Sequence, residues 1–297
     1  AAQAGCIIRD VMNKGNLGIV EKENAYDLQT EADRAAQRCI ISSLSKHFPK
    51  ITIIGEEEDT GVGTIVDVSK DNFVDVTCPS QFTELKEDEL VMTLDFVDPV
   101  LSISSFECQR SGHQGVCKNL SIQCSSLLEH VTVLIGIAVN GKAIGGVIHQ
   151  PYYNCEASAN DFGRTVWGVV GDKVGGMSVQ HPPSSGCIVT TTRSHSSATV
   201  NDAVNALTPD QVMRVGGAGH KVMLLLEGQA HAYVFASPGC KKWDTCGPQA
   251  VLESAGGCLT DIQGKPIPYD STAPHRNKIR SLATRLKDAL TSITKTP

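Results

Sequence analysis

His130-Val131-Thr132-Val133-Leu134-Ile135-Gly136-Ile137-Ala138-Val139-Asn140-Gly141-Lys142-Ala143-Ile144-Gly145-Gly146-Val147-Ile148 is the stretch that decides the fold. Two β-rich runs flank Asn140-Gly141, and Asn-Gly suits a type I′ turn, so His130 to Val139 and Lys142 to Ile148 are predicted to be a hairpin whose tip fixes the register of both strands. Upstream, Ile51 to Ile54 reads as a short buried strand ended by Gly55, delivering Glu56, Glu57 and Glu58 at its tip. Leu90 to Val97 reads as a second, delivering Asp98-Pro99, with a polar excursion over 59–89 between them. Downstream, strands are expected at Thr165 to Val170, Cys187 to Thr192, Val212 to Val215 and Ala230 to Phe235.

Helical spacing marks Ala1 to Met12, ending near Gly15, and a helix from Thr30 that turns Ala36, Cys39, Ile40 and Leu44 inward. Further helices are expected at Val200 to Leu207, His220 to Glu227 and Trp243 to Ser254, the last stopped by Gly256-Gly257. Strands mixed with helices, plus a hairpin, predict an α/β (α+β layered) fold of mixed β-sheets sandwiched between helices. Two packed halves, 1–150 and 151–297, are expected to meet near residues 150–185.

A chain of 297 residues, 41% hydrophobic and 20% charged, has material for a full core. Its formal charge of −6 argues against broad attachment to nucleic acid or an anionic membrane, so the expected partner is a small molecule held locally. With no apolar run of membrane-spanning length and no signal-peptide pattern, a cytoplasmic location is expected. The 11 cysteines include no Cys-x-x-Cys pair and read as reduced thiols.

Carboxylates at the ends of several elements carry the chemical signal: Asp27 and Asp33, Glu56-Glu57, Asp98 and Asp244. Oxygen ligands gathered from separate elements suit a hard divalent cation such as Mg²⁺. Each also has a plainer reading. Asp33 sits where a capping box with Thr30 would place it, and three adjacent acids commonly make a solvated turn. Gly216-Gly217-Ala218-Gly219 leads into a helix, where backbone N–H groups and Lys221 offer an anion site.

Asp27-Leu28-Gln29-Thr30-Glu31-Ala32-Asp33, Ile54-Gly55-Glu56-Glu57, Val97-Asp98-Pro99-Val100 and Trp243-Asp244-Thr245-Cys246 occur in the order seen in the inositol monophosphatase superfamily of lithium-sensitive, Mg²⁺-dependent phosphatases, which the chain resembles. Thr190 to Ser196, Arg214 to Lys221 and Pro238 to Asp244 look like its bisphosphate nucleotidase branch. The resemblance implies an inositol monophosphatase/fructose-bisphosphatase-like fold and hydrolysis of adenosine 3′,5′-bisphosphate to AMP and phosphate. It further implies Mg²⁺ held by Glu56, Asp98, the Val100 carbonyl and Asp244. Asp33 would help activate water, and Thr192, His195, Gly217 and Lys221 would hold the nucleotide. A non-catalytic nucleotide-binding homologue and an inositol polyphosphate 1-phosphatase are the alternatives.

The chain departs from the family pattern Asp-Pro-Val-Asp-Gly-Thr after Val100, where Leu101, Ser102 and Ile103 stand in place of the second Asp, the Gly and the Thr. Leucine cannot ligate Mg²⁺ and isoleucine cannot donate a hydrogen bond, so impaired activity is expected. After His275-Arg276-Asn277 the expected final strand is missing from the pattern, and Ser281 to Leu290 reads as helix-like, leaving a sheet edge open.

Overall fold

The computed structural model describes residues 1–15, 17–21, 28–57, 61–66, 78–96, 128–155, 163–193, 196–237, 240–272 and 281–284. In chain order the first elements are α1 (Ala2–Lys14), the short strands β1 (Val20–Glu21) and β2 (Leu28–Gln29), α2 (Glu31–His47) and β3 (Thr52–Gly55). Then come β4 (Leu90–Phe96), β5 (Val133–Val139), β6 (Lys142–Gln150), β7 (Arg164–Val169), β8 (Val174–Gly175) and β9 (Ile188–Thr192). The chain continues with α3 (Ala198–Asn205), β10 (Gln211–Val215), α4 (Ala218–Leu226), β11 (Ala232–Phe235), α5 (Lys242–Ser254), β12 (Cys258–Asp261) and β13 (Ser281–Thr284).

β3 to β8 form a six-stranded sheet in sequence order, parallel between β3 and β4 and antiparallel thereafter. The hairpin has the predicted turn: Asn140 and Gly141 both take positive φ, 48° and 74°, as a type I′ turn demands. Side chains alternate across β5, and both faces are buried. Val133, Ile135 and Ile137 pack with α1 and α2 residues such as Ile8 and Ala36, whereas Leu134 and Ala138 pack with Val222, Leu225 and Val251 of α4 and α5. The second sheet has the order β10-β9-β11-β13-β12. On its outer side Val200 and Val204 of α3 pack on Val189 and Val234. The layers therefore run helix, sheet, helix, sheet, helix, with the largest core between the sheets. Among the described residues no helix is long and apolar enough to cross a membrane.

α5 lies against the six-stranded sheet in backbone contact. A Cβ built on Gly136 would stand 2.6 Å from the Gly247 nitrogen, one on Gly247 2.5 Å from the Ile135 oxygen, and one on Gly146 would overlap the Gly247 carbonyl. Glycine is needed here because any side chain would lift the helix off the strands.

One expectation fails. Ser281–Thr284 is not helical but a strand, β13, antiparallel to both β11 and β12. Two ladders of backbone hydrogen bonds outweigh a weak local helical pattern. The position expected to be an open edge is filled, and β13 is central.

Candidate active site

The C-terminal ends of β3 and β4 form one side of the site. Parallel pairing sets Gly55 opposite Leu94, so Glu56, just past β3, and Asp95, still in β4 and paired with Leu134, come next to each other. Gln37 of α2 anchors this tip: its amide donates to the Glu57 carbonyl at 2.6 Å and its oxygen accepts from the Glu57 N–H at 3.0 Å. Gly55 leaves room for that amide, since a Cβ there would meet Gln37.

Asp244 arrives from the opposite side, at the third position of α5, where its Oδ2 accepts from the Lys241 N–H at 2.6 Å. Lys241 also crosses the gap, its Nζ 3.1 Å from Glu56 Oε1. Asp95 is 2% exposed and lies close enough to both Glu56 and Asp244 for the three carboxyl groups to act on one another. Burial, then the charges of Asp244 and Glu56, raise its pKa well above the carboxylate range. Asp244 is also raised, by burial and then Glu56, against a lowering contribution from the Lys241 N–H. Each charge makes the next harder to ionise. Among the described residues, no three His, Cys, Asp or Glu side chains yet close on a common point as a metal cage would.

The carboxylate beside Glu56 and Asp244 is thus Asp95, which sequence reading passed over. Asp98, Val100 and His195, and Asp27 of the opening motif, lie outside the described residues. The missed signal is the spacing Asp95-Phe96-Val97-Asp98, which repeats the family's Asp-x-x-Asp three residues earlier than the Asp-Pro pair suggested. Asp33 is 1% exposed and forms the capping box: its Oδ2 accepts from the Thr30 N–H at 2.7 Å and the Thr30 hydroxyl at 2.8 Å.

On the five-stranded sheet, β9 and β10 run parallel and end together, Thr192 opposite Val215. Arg193 follows one and Gly216-Gly217 the other. Gly217 caps α4 with φ 71°, a conformation that L side chains rarely adopt, and no side chain caps this helix end. Lys221 is 4% exposed and donates to the Gly217 carbonyl at 2.9 Å. Burial brings its pKa down to about 8; Cys240 and Asp244 pull it up, and Arg193 pushes it further down. The Asp244 contribution links this turn electrically to the carboxylates. Beyond it, a cavity of about 680 Å³ opens past His130 and His220, and none of the three carboxylates lines it.

Alternating helix and sheet layers thus carry carboxylates at the ends of β3 and β4 and a glycine turn with a buried lysine at α4, and the family and relatives that the chain matches make it a phosphatase, a hydrolase of phosphoric monoesters. The chain belongs to the inositol monophosphatase family, whose model matches residues 1–295. It is 48% identical over 289 residues to human 3′(2′),5′-bisphosphate nucleotidase 1, covering 96% of this chain and 87% of that protein. Among solved structures it resembles the extragenic suppressor protein suhB from Bartonella henselae, with TM-score 0.64 and 18% identity over 99% of this chain and 94% of that one. An IMPase/NADP phosphatase complexed with Mg²⁺ and phosphate superposes with TM-score 0.62 at 16% identity, covering 99% and 92%. At those identities the structures speak for the fold alone.

Proposed function

We propose that this chain is a Mg²⁺-dependent 3′(2′),5′-bisphosphate nucleotidase that hydrolyses adenosine 3′,5′-bisphosphate to AMP and phosphate. The observation that carries the reading is the meeting of Glu56, Asp95 and Asp244 opposite the Gly216-Gly217 turn and Lys221. The donor set fits a divalent ion: Asp95 is buried, Glu56 and Asp244 are half-buried beside it, their charges raise the pKa of Asp95 and Asp244, and a hard cation would relieve that repulsion. Glu56, Asp95 and Asp244 would hold it, and when bound it would neutralise phosphate charge and acidify water.

With Asp95 in the first acidic position, Asp98 takes the second, and the metal ligands are complete without any residue after Val100. The family's Thr position then falls on Val100 instead of Ile103. Neither has a hydroxyl, so the deficit is one of orienting the attacking water, not of ligands. Asp33, fixed by its cap, is the group left to take the water's proton. Lys221 and the α4 N-terminus attract the phosphates, and Thr192 closes the same side; His195 belongs with them by its place in the motif.

Phosphate release from adenosine 3′,5′-bisphosphate, measured with and without Mg²⁺, tests the reading. Metal-dependent release at a reduced rate is expected. Metal-independent release, or preference for an inositol polyphosphate, would overturn it, and nucleotide binding without turnover would favour the non-catalytic homologue.

A further inference from the structure

The inner face of α2 carries two buried polar side chains one helical turn apart, Asp33 at 1% exposure and Gln37 at 0%. Positions i and i+4 lie on the same face, about 6 Å apart along the axis. The other buried residues of this helix are Ala32, Ala36, Cys39 and Ile40, and an amide set among them has to find partners. Both polar ends of Gln37 go to a single residue: Nε2 donates to the Glu57 carbonyl at 2.6 Å, and Oε1 accepts from the Glu57 N–H at 3.0 Å. A neighbouring strand would pair with Glu57 in the same double fashion. The register between β3 and β4 ends with Gly55 and Leu94, so Glu56 and Glu57 lie past it, and Gln37 takes the place of a strand there. Gly55 permits the approach, since a Cβ on it would stand 2.4 Å from Gln37 Oε1.

We propose that Gln37 is a positioning residue for the reaction: by pairing with Glu57 it fixes the Glu56 carboxylate relative to Asp33, so that one face of α2 sets the spacing between a metal-holding group and the group that takes the water's proton. The inference rests on the nucleotidase reading and goes beyond it. Lys241 draws the Glu56 side chain across the gap at 3.1 Å, while Gln37 holds the main chain of the next residue. Side chain and backbone are therefore fixed by separate partners. A ligand that arrives already placed has less freedom to lose, and groups standing behind a metal ligand commonly contribute roughly ten- to a hundredfold in metal affinity or activity.

Calorimetric titration of the full chain with Mg²⁺ alone, alongside the Mg²⁺ dependence of phosphate release, tests the role. Gln37→Met keeps the length of the side chain and removes both hydrogen bonds. It should weaken Mg²⁺ binding by roughly ten- to a hundredfold and, at saturating Mg²⁺, lower kcat while leaving the KM for adenosine 3′,5′-bisphosphate unchanged. Gln37→Asn keeps the amide but is one methylene short of Glu57; it should show a loss of the same order, and it decides the matter if Gln37→Met does not fold. A glutamine that served stability alone would lower the Tm without Mg²⁺ and leave the Mg²⁺ affinity of the folded variants at the wild-type value. That result, or a KM that rises while kcat holds, would overturn the proposal. If the wild type binds Mg²⁺ but releases no phosphate, the nucleotidase reading fails while the Mg²⁺ comparison still decides the role of Gln37; if the wild type binds no Mg²⁺, both fall.

Discussion

The two ends that face each other across this molecule are opposites in charge and in how they are held. The six-stranded sheet carries Glu56 and Asp95 at one end, and with Asp244 their charges repel one another and raise the pKa of Asp95 and Asp244. The five-stranded sheet ends in Arg193 and Gly216-Gly217, where cations and backbone N–H groups gather round a helix start. Each end is electrostatically unfinished alone, and each is completed by a ligand of the other's sign. A phosphate with its metal would satisfy both together, so the strain is placed where binding can relieve it.

The comparison breaks most visibly at Asp95. Asp95→Asn should lower kcat by about a hundredfold or more, on the scale of losing a metal-placing group, and should abolish the rise in Tm on adding Mg²⁺. Unchanged kinetics would return the first acidic position to Asp98. Val100→Thr should then raise kcat by roughly tenfold, at the low end for a group that handles the attacking water's proton, whereas Ile103→Thr should leave it unchanged; the reverse result would restore the later register. Gly146→Ala, which pushes α5 off the sheet, should cost about 1–3 kcal/mol in denaturant unfolding, typical of overpacking, and reduce activity by moving Asp244. The six-stranded sheet should also show itself in acid, on the face that packs against α1. His149, which is buried with its Nδ1 2.8 Å from Thr165 Oγ1, has its pKa lowered to about 4 by burial, the N-terminus and Arg9. Since the folded state refuses a proton that the unfolded state accepts, stability should fall as pH drops from about 6.5 towards 4. Melting curves of His149→Asn should flatten over that window; an unaltered slope would assign the acid lability elsewhere.

How far the sequence could be read depends on whether the deciding physics is local. Asn140-Gly141 announced its turn because the required positive φ is a property of those two residues. Thr30 and Asp33 likewise form a capping box within one helical turn. Asp95 was not legible: its neighbour is set by the pairing of Gly55 with Leu94, and the adjacent Asp-Pro pair offered a more familiar motif. β13 was missed for a similar reason, because Ser281 to Thr284 are strand only by virtue of the partners on either side. His130 and His220 are ninety residues apart in number and meet only through the packing of α4 beside the start of β5.

The central place of β13 has a consequence for how the protein is made. β11 and β12 leave the ribosome first and have no ladder between them; the strand that joins them is synthesised last among the described elements. Until residue 284 has emerged, the second sheet exposes two unpaired edges where chaperones or neighbouring chains can attach. A nascent chain stopped before that point would carry every carboxylate and cation discussed above and still lack the strand that joins β11 to β12.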